Sequence, residues 1–587
     1  MFRLNYVRLV VVLAIFAWAR MASSQQPADL PPEVVAYADM VFYNGKVYTA
    51  DDQFTVAEAV AVRDGKIMAI GTSQRILRMA GPRTQKVDLQ NRKSIVPAFW
   101  DTHYHVDDHA MRMMLLEEKN IQWEGKNLWN TLHWEDTVTG LRDIERAVRA
   151  AKPGEVVWVP VTNPTARTIV SKMTLGQLDT VSPENPLIIS GPVRLQPVAA
   201  NSLVYQKLVS IPPNTEGMPK GNSAVISGKA KEMLHDYVRW MIPIEQQIPW
   251  HKEAMRRSNS WGVVGVDTRV EPSHLTAIRE IWAAGEMTIR LRAAIQVVDA
   301  GDPETIIRSM GNFSDVGDDL LKITGIGGGS SLGGGGLGFG EAWSFDRQRN
   351  PPDPQLPYGR DSWSPGSRDE LLTAIRYGWN VNNSHVVGDR AVAEYLEALE
   401  EAWKSRIVRS KTQRLTIDHT PMARPEEIRK MKELGVMPSI APWHFFVYGG
   451  GPDEITAVYG REEAHRMLPI KSYLDMGIHA ALEADVIQSP DGLPLWKIEK
   501  AVARKDDRGR VWGPQEKITR EQALWMSTIW PAEQCGDGDQ MGNIRVGKLA
   551  DLVVLGDDYM AVSEDEISEI PILMTVLGGK VVYESSQ

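Results

Sequence analysis

The sequence predicts an α/β protein in which a (β/α)8 barrel, of the TIM type, carries a small β-sandwich domain built from both chain termini. Two observations predict this fold class. Short β-rich segments stand near both ends of the chain, and the segments between them alternate strand with helix. Strands that alternate with helices indicate a parallel sheet, and so many repeats favour a closed barrel over an open sheet.

The N-terminus is typical of a secretory signal peptide that ends near Ser24. Arg3 and Arg8 supply positive charge, the apolar run LVVVLAIFAWA spans 9–19, and MASSQQ offers small residues for cleavage. The run is too short to cross a bilayer, and no cysteine follows it to take a lipid anchor. We therefore expect residues 1–24 to be removed from an exported protein that has no membrane anchor.

The bulk composition narrows the class of protein. A chain of 587 residues is longer than one simple core requires, so we expect at least two domains. Its net charge of -10 argues against a general nucleic-acid binder. The single cysteine, Cys535, excludes an intramolecular disulfide, and export without disulfides favours a bacterial periplasm. A homo-oligomer is compatible with this composition.

The two ends of the chain predict one small β domain. Each end contains a hairpin with a glycine-containing turn, at Asp64-Gly65 and at Gly578-Gly579. Segments of this kind at both ends, and none between them, suggest that the ends pair with each other. The β-rich segments are 40–50, 59–71, 549–558 and 572–584, within a domain formed by residues 35–96 and 541–587.

The middle of the chain, residues 97–540, predicts the barrel. Its strands follow one another with helical segments between them, and the helix ending at Gly435 has Pro and Glu in its first turn. Residues from about 110 to 260 exceed the length of one βα unit, so we expect an insertion there, over the barrel mouth. The predicted barrel strands after the one preceding His103 are 262–268, 289–296, 320–326, 379–385, 414–420, 436–442 and 478–486.

Four predicted strands lead into side chains that bind metals. His103 and His105 follow SIVPAFWD, His385 ends WNVNNSH, His419 ends RLTIDHT and Asp485 ends IHAALEAD. One histidine at a strand end is more often a structural residue, but this repeated placement is much harder to explain in that way. The C-terminal ends of barrel strands meet at one mouth. Imidazole nitrogens and a carboxylate suit Zn²⁺, so the pattern predicts a metal centre.

Five motifs make the chain resemble the metal-dependent amidohydrolase superfamily, and within it amidohydrolase family 3, the YtcJ-like group. They occur in the family's order and span about 35 to 585. The motifs are PAFWDTHYH (97–105), HVVGDRA (385–391), DHT (418–420), EAD (483–485) and GNIRVGKLADLVVLG (542–556).

The resemblance implies a set of ligands for one or two divalent metal ions, with Zn²⁺ expected. Lys322, in KITGIGGG, matches a family lysine that is carboxylated in many members and bridges two metals. Ile326 stands where the family has an acidic residue, so mononuclear and binuclear sites both remain open. The implied ligands are His103, His105, Lys322, His385, His419 and Asp485.

The resemblance also implies hydrolysis by a water molecule that the metal activates. Asp485 would take the proton from this water and pass it to the leaving group, and His419 or His385 would help to hold the carbonyl oxygen. The expected enzyme cleaves carbon–nitrogen bonds other than peptide bonds in a small amide-type substrate. An amide, N-acyl amino acid, formamide or cyclic amide fits, and an ester or lactone stays open.

Two other classes of function remain as alternatives. An exported binding or regulatory protein without turnover would be marked by a missing ligand, and the five core positions are filled. An oxidoreductase would rest on the segment 325–340, in which ten of sixteen residues are glycine. Such a segment cannot readily begin the helix that a dinucleotide site needs. A mobile loop that acts as a lid is the better interpretation.

Overall fold

The computed structural model describes most of the chain. The predicted signal peptide and residues 328–340 of the glycine-rich segment lie outside the described residues. Among the helices that are described, none is long and apolar enough to cross a membrane. The described residues are 36–113, 134–161, 166–190, 197–209, 217–226, 230, 234, 243–270, 272–297, 302–327, 363, 367–408, 413–447, 450–485 and 492–586.

Eight parallel strands form a nearly closed barrel, which confirms the predicted fold class. Neighbours in sequence are neighbours in the sheet, and each neighbouring pair is parallel. A parallel bridge between Tyr104 and Asp485 joins the segments that follow the first and the last strand. The strands are β1 (Phe99–Asp101), β2 (Val263–Val270), β3 (Arg290–Ile295), β4 (Leu321–Gly327), β5 (Val381–Val386), β6 (Leu415–His419), β7 (Val436–Ile440) and β8 (Ala481–Leu482).

Helices connect the barrel strands in the order that the sequence predicts. The helix Pro425–Leu434 shows the local cause: Pro425 and two glutamates occupy its first turn, and Gly435 follows it at φ 70°, a left-handed conformation that glycine adopts without steric cost. The helices between β1 and the end of the barrel segment, apart from those of the insertion, are Val106–Met113, Ile244–Ser260, Leu275–Ala283, Pro303–Met310, Ser367–Arg376, Asp389–Lys404, Pro425–Leu434, Pro442–Phe446, Gly451–Tyr459, Arg461–Arg466, Ile470–Asp475, Pro494–Ala503, Arg520–Trp525 and Ile529–Gln534.

The two chain ends pair with each other, as the sequence predicts. The strand Leu552–Leu555 lies antiparallel to Ser94–Pro97, and both belong to a six-stranded sheet. Phe42 and Val576 share one buried core, which joins side chains from the two ends. The strands of this domain are Ala38–Tyr43, Ala59–Arg63, Lys66–Gly71 and Ala80–Asp88 in one sheet, and Lys46–Tyr48, Val56–Ala57, Ser94–Pro97, Leu552–Leu555, Ile572–Leu577 and Lys580–Glu584 in the other; the helix Ser73–Leu77 lies between two strands of the first.

The long segment between β1 and β2 folds around a core of its own. Three strands form a separate sheet, in which Leu187–Ser190 lies between Val157–Pro160 and Pro197–Ala200. Trp134 and Ile144 pack into a buried cluster with residues of this sheet. The predicted insertion thus contains a compact α/β layer, whose helices are Thr137–Ala150, Ala166–Ser171, Leu175–Val181 and Ser202–Val209.

Candidate metal centre

The ends of the barrel strands bring five of the six predicted ligands together. His103 and His105 lie just after β1, and Asp485 lies three residues after β8. The Oδ1 atom of Asp485 is 3.1 Å from His103 Nε2 and 3.3 Å from His105 Nε2. His419 is the last residue of β6, and its Nε2 atom is 2.9 Å from Nδ1 of His385 near the end of β5.

A fifth histidine, His444, joins this cluster without having been predicted. It lies in the short helix Pro442–Phe446, which follows β7. Its Nε2 atom is 2.9 Å from Oδ2 of Asp485, and its ring stacks on that of His419 at a centroid distance of 4.4 Å. Asp485 therefore contacts three imidazoles, two from the segment after β1 and one from the segment after β7.

The donor atoms form two groups that share Asp485. The first contains His103 and His105, and the second contains His419 and His444; within each group the donor atoms lie within 4.8 Å of one another. These imidazole nitrogens and this carboxylate are the donors that zinc and other divalent transition metals bind. The side chains at this mouth of the barrel thus fit a divalent metal ion.

The backbone around the cluster adopts a conformation that is costly for ordinary residues. His419 has a φ of 73° and Asp485 a φ of 56°, both in the left-handed region. Glu483 holds His419 in place, because its Oε1 atom accepts hydrogen bonds from the backbone N–H at 3.1 Å and from Nδ1 at 2.5 Å. Nδ1–H is then the donor, and Nε2 faces the other imidazoles.

A second carboxylate orients His103. Its Nδ1 atom lies 3.0 Å from Asp418 Oδ2 and 3.0 Å from Asn383 Oδ1. Ser439 connects the two supporting carboxylates, since its hydroxyl donates to Asp418 Oδ1 at 3.1 Å and also contacts Glu483 Oε2. Such hydrogen bonds fix the ring orientation of a metal-binding histidine and direct its other nitrogen towards the ion.

The electrostatics of the cluster keep Asp485 ionised. Burial alone would raise its pKa, but hydrogen bonds from His103, His105 and His444 hold the pKa well below the usual range. The pKa of His419 is well below the usual range because of burial and the neighbouring imidazoles, so this side chain stays neutral, as a metal ligand must be. Burial also raises the pKa of the Glu483 carboxyl well above its usual range.

Asp101 and Lys497 brace the strand ends that carry the ligands. Oδ1 of Asp101 accepts hydrogen bonds from the backbone N–H groups of His103 and Ala484, each at 3.1 Å. The Nζ atom of Lys497 donates to Oδ2 of the same carboxylate, and both side chains are 1% exposed. This buried ion pair therefore ties the segment after β1 to the segment after β8.

Substitution of Lys497 by methionine should destabilise the protein strongly. The change leaves the Asp101 carboxylate buried without its partner, and breaking a buried pair in this way typically costs about 3–5 kcal/mol. Urea unfolding followed by circular dichroism measures the free energy of unfolding. The control, Lys471→Met, removes an exposed lysine that pairs with Asp475 and should leave this quantity nearly unchanged. Equal effects of the two substitutions would contradict the proposed brace.

Comparison with known proteins identifies the family. Residues 85–583 match the amidohydrolase family. The chain belongs to the amidohydrolase family. It is 27% identical to an N-substituted formamide deformylase of Arthrobacter pascens, over 93% of this chain and 98% of that protein. It is 23% identical to the putative amidohydrolase YtcJ of Bacillus subtilis, over 93% of this chain and 99% of that protein.

Solved structures show the same fold. A metal-dependent hydrolase from Pyrococcus horikoshii aligns with 89% of this amidohydrolase and 99% of its own chain, with a TM-score of 0.65 and 20% identity. A metal-dependent hydrolase from Pyrococcus furiosus aligns with a TM-score of 0.64 and 20% identity, over 89% of this chain and 99% of its own. Together with the strand order, these likenesses confirm the barrel.

The structure does not bring Lys322 of this amidohydrolase into the cluster. Lys322 is the second residue of β4, whereas the histidines lie at or beyond the C-terminal ends of their strands. Its Nζ atom donates to Asp537 Oδ1 at 2.7 Å and to the Cys535 carbonyl at 2.9 Å. Carboxylation would replace this cation with an anion against Asp537. We therefore leave Lys322 out of the proposed ligands.

The polar residues directly after His105 also have other partners. Asp107 and His109 lie in the helix Val106–Met113. Asp107 pairs through Oδ2 with Nδ1 of His274, and the ring of His109 lies 6.2 Å from that of Trp261. Asp107 therefore supports the barrel mouth by contact with the segment after β2.

A further acid, Asp267, is buried in the barrel among β2, β4 and β5. Its carboxylate accepts hydrogen bonds from Thr324 at 3.3 Å and from Asn382 at 3.4 Å. Burial, and after it the charge of Asp418, raises the pKa of Asp267 to about 7. This acid therefore holds its proton more tightly in the folded protein than in the unfolded chain.

Replacement of Asp267 by asparagine should change how stability depends on pH. Because the folded pKa of the acid is raised, its stabilising contribution is full below about pH 4 and is lost as the pH rises through 7. From pH 5 to pH 8, Asp267→Asn should therefore gain about 1–3 kcal/mol of unfolding free energy relative to wild type. Urea unfolding at both pH values measures the difference, and a difference that is independent of pH would contradict the prediction.

Proposed function

We propose that this amidohydrolase is a metal-dependent enzyme that hydrolyses a carbon–nitrogen bond in a small amide-type substrate. The observation that carries the proposal is the cluster of four imidazoles, those of His103, His105, His419 and His444, around the Asp485 carboxylate. Membership of the amidohydrolase family agrees with it. The predicted binding protein without turnover remains the alternative, and its mark, a missing ligand at the core positions, does not occur in the sequence.

The proposed ligands are the side chains that the fold brings together. A bound divalent metal ion would lower the pKa of a water molecule towards about 7 and polarise the scissile carbonyl group. The donor set favours Zn²⁺, and the shared carboxylate is compatible with one ion or with two. The ligands are His103, His105, His385, His419, His444 and Asp485.

Asp485 is the proposed general base and then the general acid. Its side chain is 16% exposed, whereas that of His103 is fully buried, so water and substrate reach the carboxylate from the barrel mouth. Because its pKa is held well below the usual range, the group is ionised, which is the form that a general base requires. Proton transfer from Asp485 to the leaving nitrogen then allows the amine to depart. His385, where it does not bind the ion, would help to hold the carbonyl oxygen.

The proposed substrate class follows from the family and from the relatives. The relative from Arthrobacter pascens bears the name N-substituted formamide deformylase, so N-substituted formamides are the first candidates. Amides, N-acyl amino acids and cyclic amides present the same carbonyl and nitrogen atoms to the site. Esters and lactones differ only in the leaving atom, and they serve as the comparison.

Two measurements on purified protein test the proposed function. Metal analysis should find at least one divalent ion for each chain. A panel of N-substituted formamides, N-acyl amino acids, cyclic amides and esters should then show turnover, measured as release of amine, acid or alcohol, with the amide-type compounds hydrolysed best. Metal-loaded protein that hydrolyses no member of the panel would favour the binding protein, and preference for esters would overturn the assignment of the bond.

Export remains a proposal that rests on the predicted signal peptide. We propose that cleavage near Ser24 releases the mature enzyme into the periplasm or the medium. The N-terminal residue of protein recovered from the periplasmic fraction tests it and should lie near Gln25. Protein recovered from cells with residues 1–20 intact would contradict the proposal.

A further inference from the structure

A buried arginine, Arg269, lies against the proposed metal ligands. It is the penultimate residue of β2, and its side chain is 7% exposed. Its Nη1 atom donates a hydrogen bond to the Asn383 carbonyl oxygen at 3.1 Å and lies 4.0 Å from Asp418 Oδ2. Its Nη2 atom is 3.4 Å from Nε2 of His103. A permanent positive charge therefore lies beside one of the ligand atoms.

The two nitrogens of His103 have different surroundings. Nδ1 faces two oxygen acceptors, Asp418 Oδ2 and Asn383 Oδ1, each at 3.0 Å, so this nitrogen is the donor. Nε2 is then the nitrogen that can bind a metal, and it lies 3.1 Å from Asp485 Oδ1 and 3.4 Å from Arg269 Nη2. A metal ion on Nε2 and the guanidinium therefore compete for the space beside this atom.

Charge strengthens this competition. A zinc ion on Nε2 would lie about 2.0–2.1 Å from that atom. The guanidinium stays charged at every pH at which the protein is folded, and at its present distance from Nε2 it would repel the ion. The same guanidinium lies 4.0 Å from the Asp418 carboxylate and balances its charge. Arg269 thus favours the metal-free site and opposes the loaded one.

We infer that Arg269 sets the metal affinity of the site by competing with the ion at His103. Metal binding requires the guanidinium to move away from Nε2, and the loss of its contacts there lowers the net affinity. The inference rests on the proposed metal site but does not depend on the identity of the substrate. Arg269 acts through His103 and is a positioning residue for the ion.

The affinity for Zn²⁺ tests this inference without any measurement of activity. Competition with a chromophoric chelator gives the dissociation constant for wild type, Arg269→Gln and Arg269→Lys. Arg269→Gln should bind Zn²⁺ at least about tenfold more tightly than wild type, because the repelling charge is gone. Arg269→Lys keeps the charge and should bind less tightly than Arg269→Gln. The control Arg279→Gln removes an exposed arginine that pairs with Glu280, and it should bind as wild type does.

Thermal unfolding in excess chelator supplies a second measurement. Arg269→Gln should lower the Tm of the metal-free protein by more than Arg279→Gln does, because it removes the positive charge beside the buried Asp418 carboxylate. Folded Arg269→Gln protein with unchanged or weaker Zn²⁺ affinity would overturn the inference and leave the proposed function intact. If neither wild type nor Arg269→Gln binds Zn²⁺, the proposed function and the inference both fail.

Crystal structures of the wild type with and without Zn²⁺ test the inference even if Arg269→Gln does not fold. The separation of Nη2 from His103 Nε2 should increase beyond hydrogen-bond distance when Zn²⁺ occupies Nε2. A guanidinium that stays within hydrogen-bond distance of Nε2 in the loaded protein would overturn the competition.

Discussion

Asp485→Asn should abolish most of the hydrolytic activity, with kcat falling about 10³-fold, since general acid–base catalysis typically contributes 10²–10⁴-fold. The carboxylate contacts His103, His105 and His444, and it is the proposed acceptor of the proton from water. An amide has nearly the same shape but cannot accept that proton, and it offers the metal a weaker, neutral ligand. Steady-state kinetics on the best substrate of the panel, with metal analysis of the same sample, measures both losses.

The control for this variant is an aspartate remote from the site. Asp475 is exposed and pairs with Lys471 on its own helix, so Asp475→Asn should keep both activity and metal content. If Asp485→Asn retains metal and loses only turnover, the proton-transfer role is supported separately from metal binding. Retention of wild-type kcat by Asp485→Asn would rule out Asp485 as the catalytic base.

Removal of the metal should inactivate the enzyme as completely as the loss of Asp485 does. After dialysis against a chelator, the imidazoles and carboxylates remain, but the cation that activates water is gone. The activity should fall by about 10³-fold or more, and Zn²⁺ added in slight excess should restore it. The Tm should also fall, because an ion that binds the folded state stabilises that state.

A pair of histidine variants ties this loss to the cluster. His419→Ala removes a proposed ligand that is fully buried, and it should prevent reactivation by Zn²⁺. His479→Ala removes an exposed imidazole that pairs with Glu533, and its reactivation should match that of wild type. Full activity in metal-free protein, or full reactivation of His419→Ala, would contradict a metal centre at this position.

The residues that the sequence predicted correctly for this cluster share one property. His103, His105, His385, His419 and Asp485 lie at or just beyond the ends of barrel strands, and strand order alone brings such positions to one mouth. The barrel strands were also predictable from local pattern, since apolar runs and helical segments alternate along the chain. Local pattern was therefore sufficient wherever the fold repeats a simple unit.

His444 could not be found by that rule. It lies four residues beyond the end of β7, inside the helix Pro442–Phe446, and aromatic residues flank it in the sequence. The indication of His444 in the sequence was only indirect, because the predicted strand β7 had no polar residue assigned at its end. The short helix turns His444 back over the barrel mouth, and no spacing rule for strands describes this geometry.

Lys322 illustrates the opposite error. The motif that contains Lys322 matched the family. Whether the lysine reaches the mouth of the barrel depends on its position along β4. The lysine precedes the end of the strand by five residues, and its ion-pair partner, Asp537, is 215 residues away in sequence. Contacts at such separations, like that of Arg269 with His103, are set by tertiary packing and carry no local signature.

The central claim is that the cluster around Asp485 binds a metal ion, and one measurement tests it most directly. Crystals grown with Zn²⁺ should show an anomalous peak, at the zinc absorption edge, about 2.0–2.2 Å from Asp485 and from nitrogen atoms of the surrounding imidazoles. A well-ordered cluster without such a peak, or a zinc ion bound only elsewhere on the protein, would contradict the account.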